Sequence, residues 1–142
     1  MQRQGPGIET EGARIEPDDR HVVVRFGGET IADSRRSVRV TEAGHPPVFY
    51  IPPEDVRVEL LEATEQQTHC PLKGDAHYYD IEVGGERAGL AAWCYPEPKP
   101  GFEAIQHAIA FYPAHVEATV GGKAVGSEEN PYYGGWVIDE SS

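Results

Sequence analysis

The chain has 142 residues and carries 24 Asp and Glu against 12 Lys and Arg, a formal net charge of −12. That length suits one domain with a modest core. No apolar run reaches the roughly 18 residues of a membrane span, no signal-peptide pattern opens the chain, and the acidic balance disfavours nucleic acid, whose phosphates need clustered cations; the expectation is a cytoplasmic protein with no membrane or nucleic-acid partner.

Residues 1–19 are rich in Gly, Glu and Arg without apolar periodicity and read as a flexible lead-in. Residues 20–26, with three consecutive valines, predict a strand. Gly27-Gly28 is a two-residue hairpin signal, and residues 29–34 form the return strand. Residues 37–41 alternate polar and apolar as a half-buried strand does, Gly44 to Pro47 make a turn, and residues 48–51 form a short apolar strand. Pro52 to Val56 predict a single helical turn entered by proline, with Glu54 and Asp55 complementing its N-terminus. Residues 58–63 lead into a loop.

The run from Thr68 to Tyr79 concentrates His69, Cys70, Lys73, Asp75 and His77 around Pro71 and Gly74, which favour a tight turn over a plain helix or strand. Residues 78–83 alternate again, Gly84-Gly85 marks a second hairpin, and residues 86–95 return as a strand containing Trp93. A proline-dense connector follows. Residues 102–112 then predict the one helix, with Phe102, Ile105 and Ile109 on one face and Pro113 ending it. Residues 115–120 form a last strand before Gly121-Gly122. The acidic tail holds Tyr132-Tyr-Gly-Gly-Trp136, too aromatic to stay in solvent without docking. These elements predict a mainly β, α+β domain over residues 20–137, with 138–142 as a flexible tail, and no βαβ spacing of a parallel sheet.

Several segments together resemble the DUF427 family of small domains of unknown function. They are Ile31-Ala-Asp-Ser-Arg-Arg36, Pro47-Val-Phe-Tyr-Ile-Pro-Pro-Glu-Asp-Val56, Thr68 to Tyr78, Ala92-Trp-Cys-Tyr-Pro-Glu-Pro98, Ala-Phe-Tyr112 and Tyr-Gly-Gly-Trp-Val137. The likeness runs from about His21 to Val137. It implies a β-tent, related to Mss4-like folds and to the thalidomide-binding domain of cereblon, in which two antiparallel sheets lean together around a cavity with one helix near the C-terminal third. Related tents hold a structural zinc on two Cys-x-x-Cys pairs. Cys70 and Cys94 supply neither pair, so no metal or other cofactor is expected. The family also carries a nucleotidyltransferase-like label, but the sequence has no phosphate-cradling glycine loop or Asp-x-Asp metal pair.

Two chemistries compete for the 68–79 run. As a binding site, an aromatic-lined cavity between the sheets would hold an unidentified small molecule, with Tyr50, Tyr78, Trp93, Tyr95 and Trp136 as walls and Arg36, Cys70 and Lys73 as polar contacts. As a catalytic centre, Cys70 would be the nucleophile of a cysteine-dependent enzyme acting on a small metabolite, with His69 as base and Lys73 or backbone amides holding an oxyanion. Lys73 and Asp75 could instead pair across the Gly74 turn, and Cys70 and Cys94 are expected free, though a bridge between them stays open. A third reading makes the tail around Trp136 a protein-interaction arm. Binding without covalent change is the leading reading, and self-association is left open.

Overall fold

The computed structural model describes residues 8–10, 12–127 and 134–138. Thirteen strands make two antiparallel sheets among these residues. The chain opens with β1 (Ile8–Thr10), β2 (Ala13–Asp18), β3 (Val22–Phe26), β4 (Glu29–Ser34), β5 (Ser37–Glu42) and β6 (Val48–Ile51). The long strands β7 (Leu61–Cys70), β8 (Gly74–Val83) and β9 (Glu86–Cys94) follow. They lead to β10 (Ile109–Phe111), β11 (Glu117–Val120), β12 (Lys123–Ser127) and β13 (Trp136–Ile138). The larger sheet has the order β1-β2-β5-β6-β10-β9-β8-β7 and the smaller β13-β12-β11-β3-β4.

Glycine pairs close three of the hairpins. Gly27-Gly28, Gly84-Gly85 and Gly121-Gly122 all have positive φ at both positions, the left-handed geometry whose twist matches that of the flanking strands. The 68–79 run likewise makes a turn, because Pro71, Leu72 and Lys73 link β7 to β8.

Three expectations are corrected. Residues 102–112 are not a helix. A three-residue 3-10 turn, Glu103–Ile105, gives way to extended backbone and β10. The period-3.6 reading of Phe102, Ile105 and Ile109 fails because these residues serve two different cores. Ile109 and Phe111 point to one face of the sheet, while Ala110, Phe102 and Ile105 belong to the other. The 1–19 lead-in contains β1 and β2. The latter lies along β5 with Ile15 opposite Val40, and Ala13 and Ile15 are buried. The stretch read as a loop before Thr68 is part of β7. The aromatic tail does dock: β12 and β13 extend the smaller sheet, and Trp136 is buried. The helical turn expected at Pro52 to Val56 forms as a 3-10 turn, Pro53–Asp55.

The space between the sheets is filled. Val22, Val24, Ile31, Phe49, Ile51, Ile81, Phe111, Val120 and Trp136 pack there into one apolar core, where the cavity was expected. A second core lies on the opposite face of the larger sheet: Ile15, Val40, Tyr50, Trp93 and Tyr95 pack with Phe102 and Ile105, which follow the proline-rich connector. Strand alternation therefore divides neighbours, with Phe49 and Cys94 inside the sandwich and Tyr50 and Trp93 outside it. Among the described residues, no helix is long and apolar enough to cross a membrane.

Candidate functional site

The outer face of the larger sheet carries a linked series of rings. Trp93 meets Tyr50 edge-on at 6.2 Å between centroids and Tyr112 at 4.5 Å, and Tyr112 meets His115 edge-on at 6.0 Å. Tyr50 lies within 6.3 Å of Tyr95. Tyr50 and Tyr95 are almost fully buried, and burial raises both phenols well above their ordinary range; Tyr112 is raised by burial and by its hydrogen bond with Tyr78.

A cleft of about 740 Å³ opens at the end of this series. Gln66 and Thr68 of β7 and Tyr78 of β8 form one wall, Gly89 and Leu90 of β9 another, and Tyr112, Ala114 and His115 a third. The Thr68 and Tyr78 hydroxyls are hydrogen-bonded at 2.9 Å. None of these residues is an Asp, Glu, Lys or Arg. The volume falls in the range of small-molecule sites, and mostly apolar walls with a few convergent polar groups are what such sites present.

A bulge in β9 shapes the Leu90 wall. Pairing with β8 shifts register between Tyr79 and Ile81, so that Ala92 faces Tyr79 while Ala88 faces Ile81. Leu90 sits in this bulge at φ +49°, a left-handed conformation that costs a non-glycine residue roughly 1–2 kcal/mol, and remains 40% exposed. Asp80 holds the geometry, accepting the Leu90 N–H at 2.7 Å and pairing with Arg87 at 2.7 Å. The Leu90 bond is the main reason the Asp80 carboxyl sits below its ordinary range. Among the described residues the only other non-glycine with positive φ is His107, which lines a smaller cleft of about 330 Å³ beside Tyr50 and Glu54.

The residues singled out from sequence divide sharply. Tyr78 lines the cleft and Trp93 backs it through Tyr112. Tyr50 and Tyr95 belong to the second core. Trp136 is 1% exposed inside the sandwich, its ring tilted against Phe49 at 5.1 Å between centroids and its indole N–H donated to the Phe111 carbonyl. Arg36 makes a two-pronged bond to Asp55, which also accepts from Ser34, so its guanidinium clamps the Pro53–Asp55 turn. Lys73 is buried and paired with Glu42, not with Asp75.

The catalytic pairing of Cys70 with His69 does not form. His69 is exposed and bonded to Asp75 at 2.7 Å, its cross-strand partner, while Cys70 lies on the other face of β7 and accepts the Lys73 backbone N–H at 3.4 Å. Cys94 is buried in the sandwich beside the Tyr79 hydroxyl, 3.4 Å away, and burial raises its thiol above the ordinary range. The two thiols lie on opposite faces of the larger sheet, and both are free.

Sequence reading missed Gln66, Leu90, Tyr112 and His115 as wall residues. Tyr112 stands in a recognisable segment, but the apolar spacing before it reads as a helix that it would end. Leu90 gives itself away only faintly, as an apolar residue after glycine in a run whose alternation breaks. The tail reaches this region too. Gly134 has φ +67°, and a Cβ placed on it would lie 2.6 Å from Trp93 Cη2 and 3.1 Å from a Tyr112 ring carbon. Only a glycine lets the backbone lie against those rings. Tyr132 and Tyr133 of the same motif fall outside the described residues.

No curated protein matches the chain. The family model described as "Domain of unknown function (DUF427)" matches residues 14–122, from β2 through the Gly121-Gly122 turn. It starts before the likeness noted from His21 and ends before the Trp136 segment. Since it covers well over half of the 142 residues, this protein belongs to the DUF427 family.

Proposed function

We propose that this protein is a small-molecule binding domain whose site is the outer-face cleft between Tyr78, Leu90 and Tyr112. The observation that carries the reading is the strained bulge. Leu90 adds little to either core, yet it is held in an unfavourable conformation where it walls the cleft. The site needs no cofactor for this role. Free thiols at Cys70 and Cys94 suit the reducing cytoplasm, and the net charge of −12 speaks against nucleic acid as partner.

A library of metabolites screened by thermal shift, with hits mapped by amide chemical shifts, tests the reading. The expected hits perturb Tyr78, Leu90, Tyr112 and His115 together. A library that gives no hit there, or hits that map only to other surfaces, would sink it. The cysteine-enzyme alternative has a separate check: Cys70 alkylated by iodoacetamide at pH 6 much faster than a model thiol would revive it, and a rate no faster removes it.

A further inference from the structure

The cleft also carries information about what it selects. Its described walls offer three rings, one branched aliphatic side chain, one amide and three hydroxyls, of which those of Thr68 and Tyr78 already bond each other. The chain has 36 charged residues, and none of them is among the described lining residues. An ion entering it would leave water with no Asp, Glu, Lys or Arg among the described lining residues to receive it, which is unfavourable. A flat π-system could instead settle against Tyr78, Tyr112 and His115 at ring-pair distances and use the Thr68–Tyr78 edge for a hydrogen bond.

We infer that the ligand is an uncharged, planar aromatic molecule of roughly one to three fused rings with a hydrogen-bonding edge, and that Leu90 is the residue that selects it. This rests on the reading of the cleft as the binding site. Leu90 supplies the apolar lid over the ring, and the bulge held by Asp80 sets its position.

Four probes of one shape separate the contributions: 2-naphthol, 2-naphthoate, 2-naphthylmethylammonium and the saturated decahydro-2-naphthol, each titrated into the full chain at neutral pH with amide shifts recorded. The expected order has 2-naphthol binding in the cleft roughly 10-fold or more tighter than either ion, with the saturated alcohol weaker as well. An ion or the saturated alcohol that binds the cleft as tightly as 2-naphthol overturns the inference, and so does the failure of all four to perturb Tyr78, Leu90 and Tyr112. The broader binding reading falls by a different result, a metabolite library with no hit in the cleft, so the two failures are distinguishable. Leu90→Gly should weaken 2-naphthol by about 10-fold while the melting temperature holds or rises, because glycine relieves the positive φ. Unchanged affinity in a folded Leu90→Gly protein would remove Leu90 from the selection. Thr68→Val then reports on the hydrogen-bonding edge: a loss for 2-naphthol is expected, and no loss overturns that part.

Discussion

At Gly134 the absence of a side chain is what brings the tail onto the aromatic face. A methyl group there would meet Trp93, itself flanked by Tyr50 and Tyr112, so neither partner can yield cheaply. Gly134→Ala should therefore cost about 1–3 kcal/mol of stability, read as a lower urea midpoint with an unchanged slope. An unaltered midpoint would mean that the tail does not rest on those rings in solution. The cysteines offer a second residue-scale test. Cys94 is sealed in the sandwich with its thiol pushed up by burial, and the adjacent Tyr79 phenol is pushed up to about 12 by the same desolvation. Iodoacetamide at mildly alkaline pH should modify half-buried Cys70 before Cys94, with peptide mass spectrometry reading the order. Equal labelling would show that the two sheets part readily.

Elements explain what single residues cannot. The β9 bulge is a property of two strands: β9 has three residues between Ala88 and Ala92 where β8 has one between Ile81 and Tyr79. Asp80, the residue opposite the bulge, bonds the Leu90 N–H. Asp80→Ala removes that acceptor, so a loss of about 1 kcal/mol and faster hydrogen exchange at the Leu90 amide are expected. Exchange that stays slow would show that the bulge holds itself. The tail strand makes the opposite kind of contribution. Trp136 is a core residue, and β13 pairs with β12 at the edge of the smaller sheet. Removing residues 128–142 should therefore cost at least about 3 kcal/mol, seen as a large fall in melting temperature. A nearly unchanged melting temperature would return the segment to the role of an interaction arm.

Elements also mark how far sequence reading reaches. Strands β4 and β6 fall where their β-branched and aromatic runs end, and the Gly-Gly hairpins turn where two consecutive left-handed residues are needed. These are local properties, legible residue by residue. The segment around Phe102 misleads because its apolar spacing suits a helix, whereas its side chains are shared between two cores on opposite faces of one sheet. The same sharing defeats the cavity prediction. Phe49, Tyr50 and Ile51 look alike in sequence, but period-2 alternation sends Tyr50 to the outer face and its neighbours into the sandwich.

Across the whole molecule, the acidic sequence is held together by carboxylates used as structural acceptors. Asp18 loses solvation on burial, but bonds from Arg20 and the charge of Arg39 outweigh this and lower its carboxyl below the ordinary range. Glu16 is lowered chiefly by Arg39, Asp55 by Arg36 and Asp80 by the Leu90 N–H. The folded state thus keeps these groups ionised to lower pH than the unfolded chain does. Their contribution is fully present above the ordinary carboxylate range, about pH 4–5, and is lost as pH falls through the depressed folded values. Urea midpoints measured from pH 7 down to pH 3 should fall along this limb. Asp18→Asn should lower stability at pH 7 and flatten the limb. A wild-type midpoint independent of pH would refute the assignment.

By itself the sequence determined the β-rich class, the hairpin turns and the DUF427 likeness, because each depends on local conformation or on a short motif. The tertiary structure alone decided which face each ring occupies, that the space between the sheets is packed, that Lys73 and Arg36 are taken by Glu42 and Asp55, and that Leu90 walls a cleft. Those outcomes depend on strand register and on partners 19 to 31 residues away. A bulge that reverses which side of a strand a residue faces leaves almost no trace in the order of the amino acids.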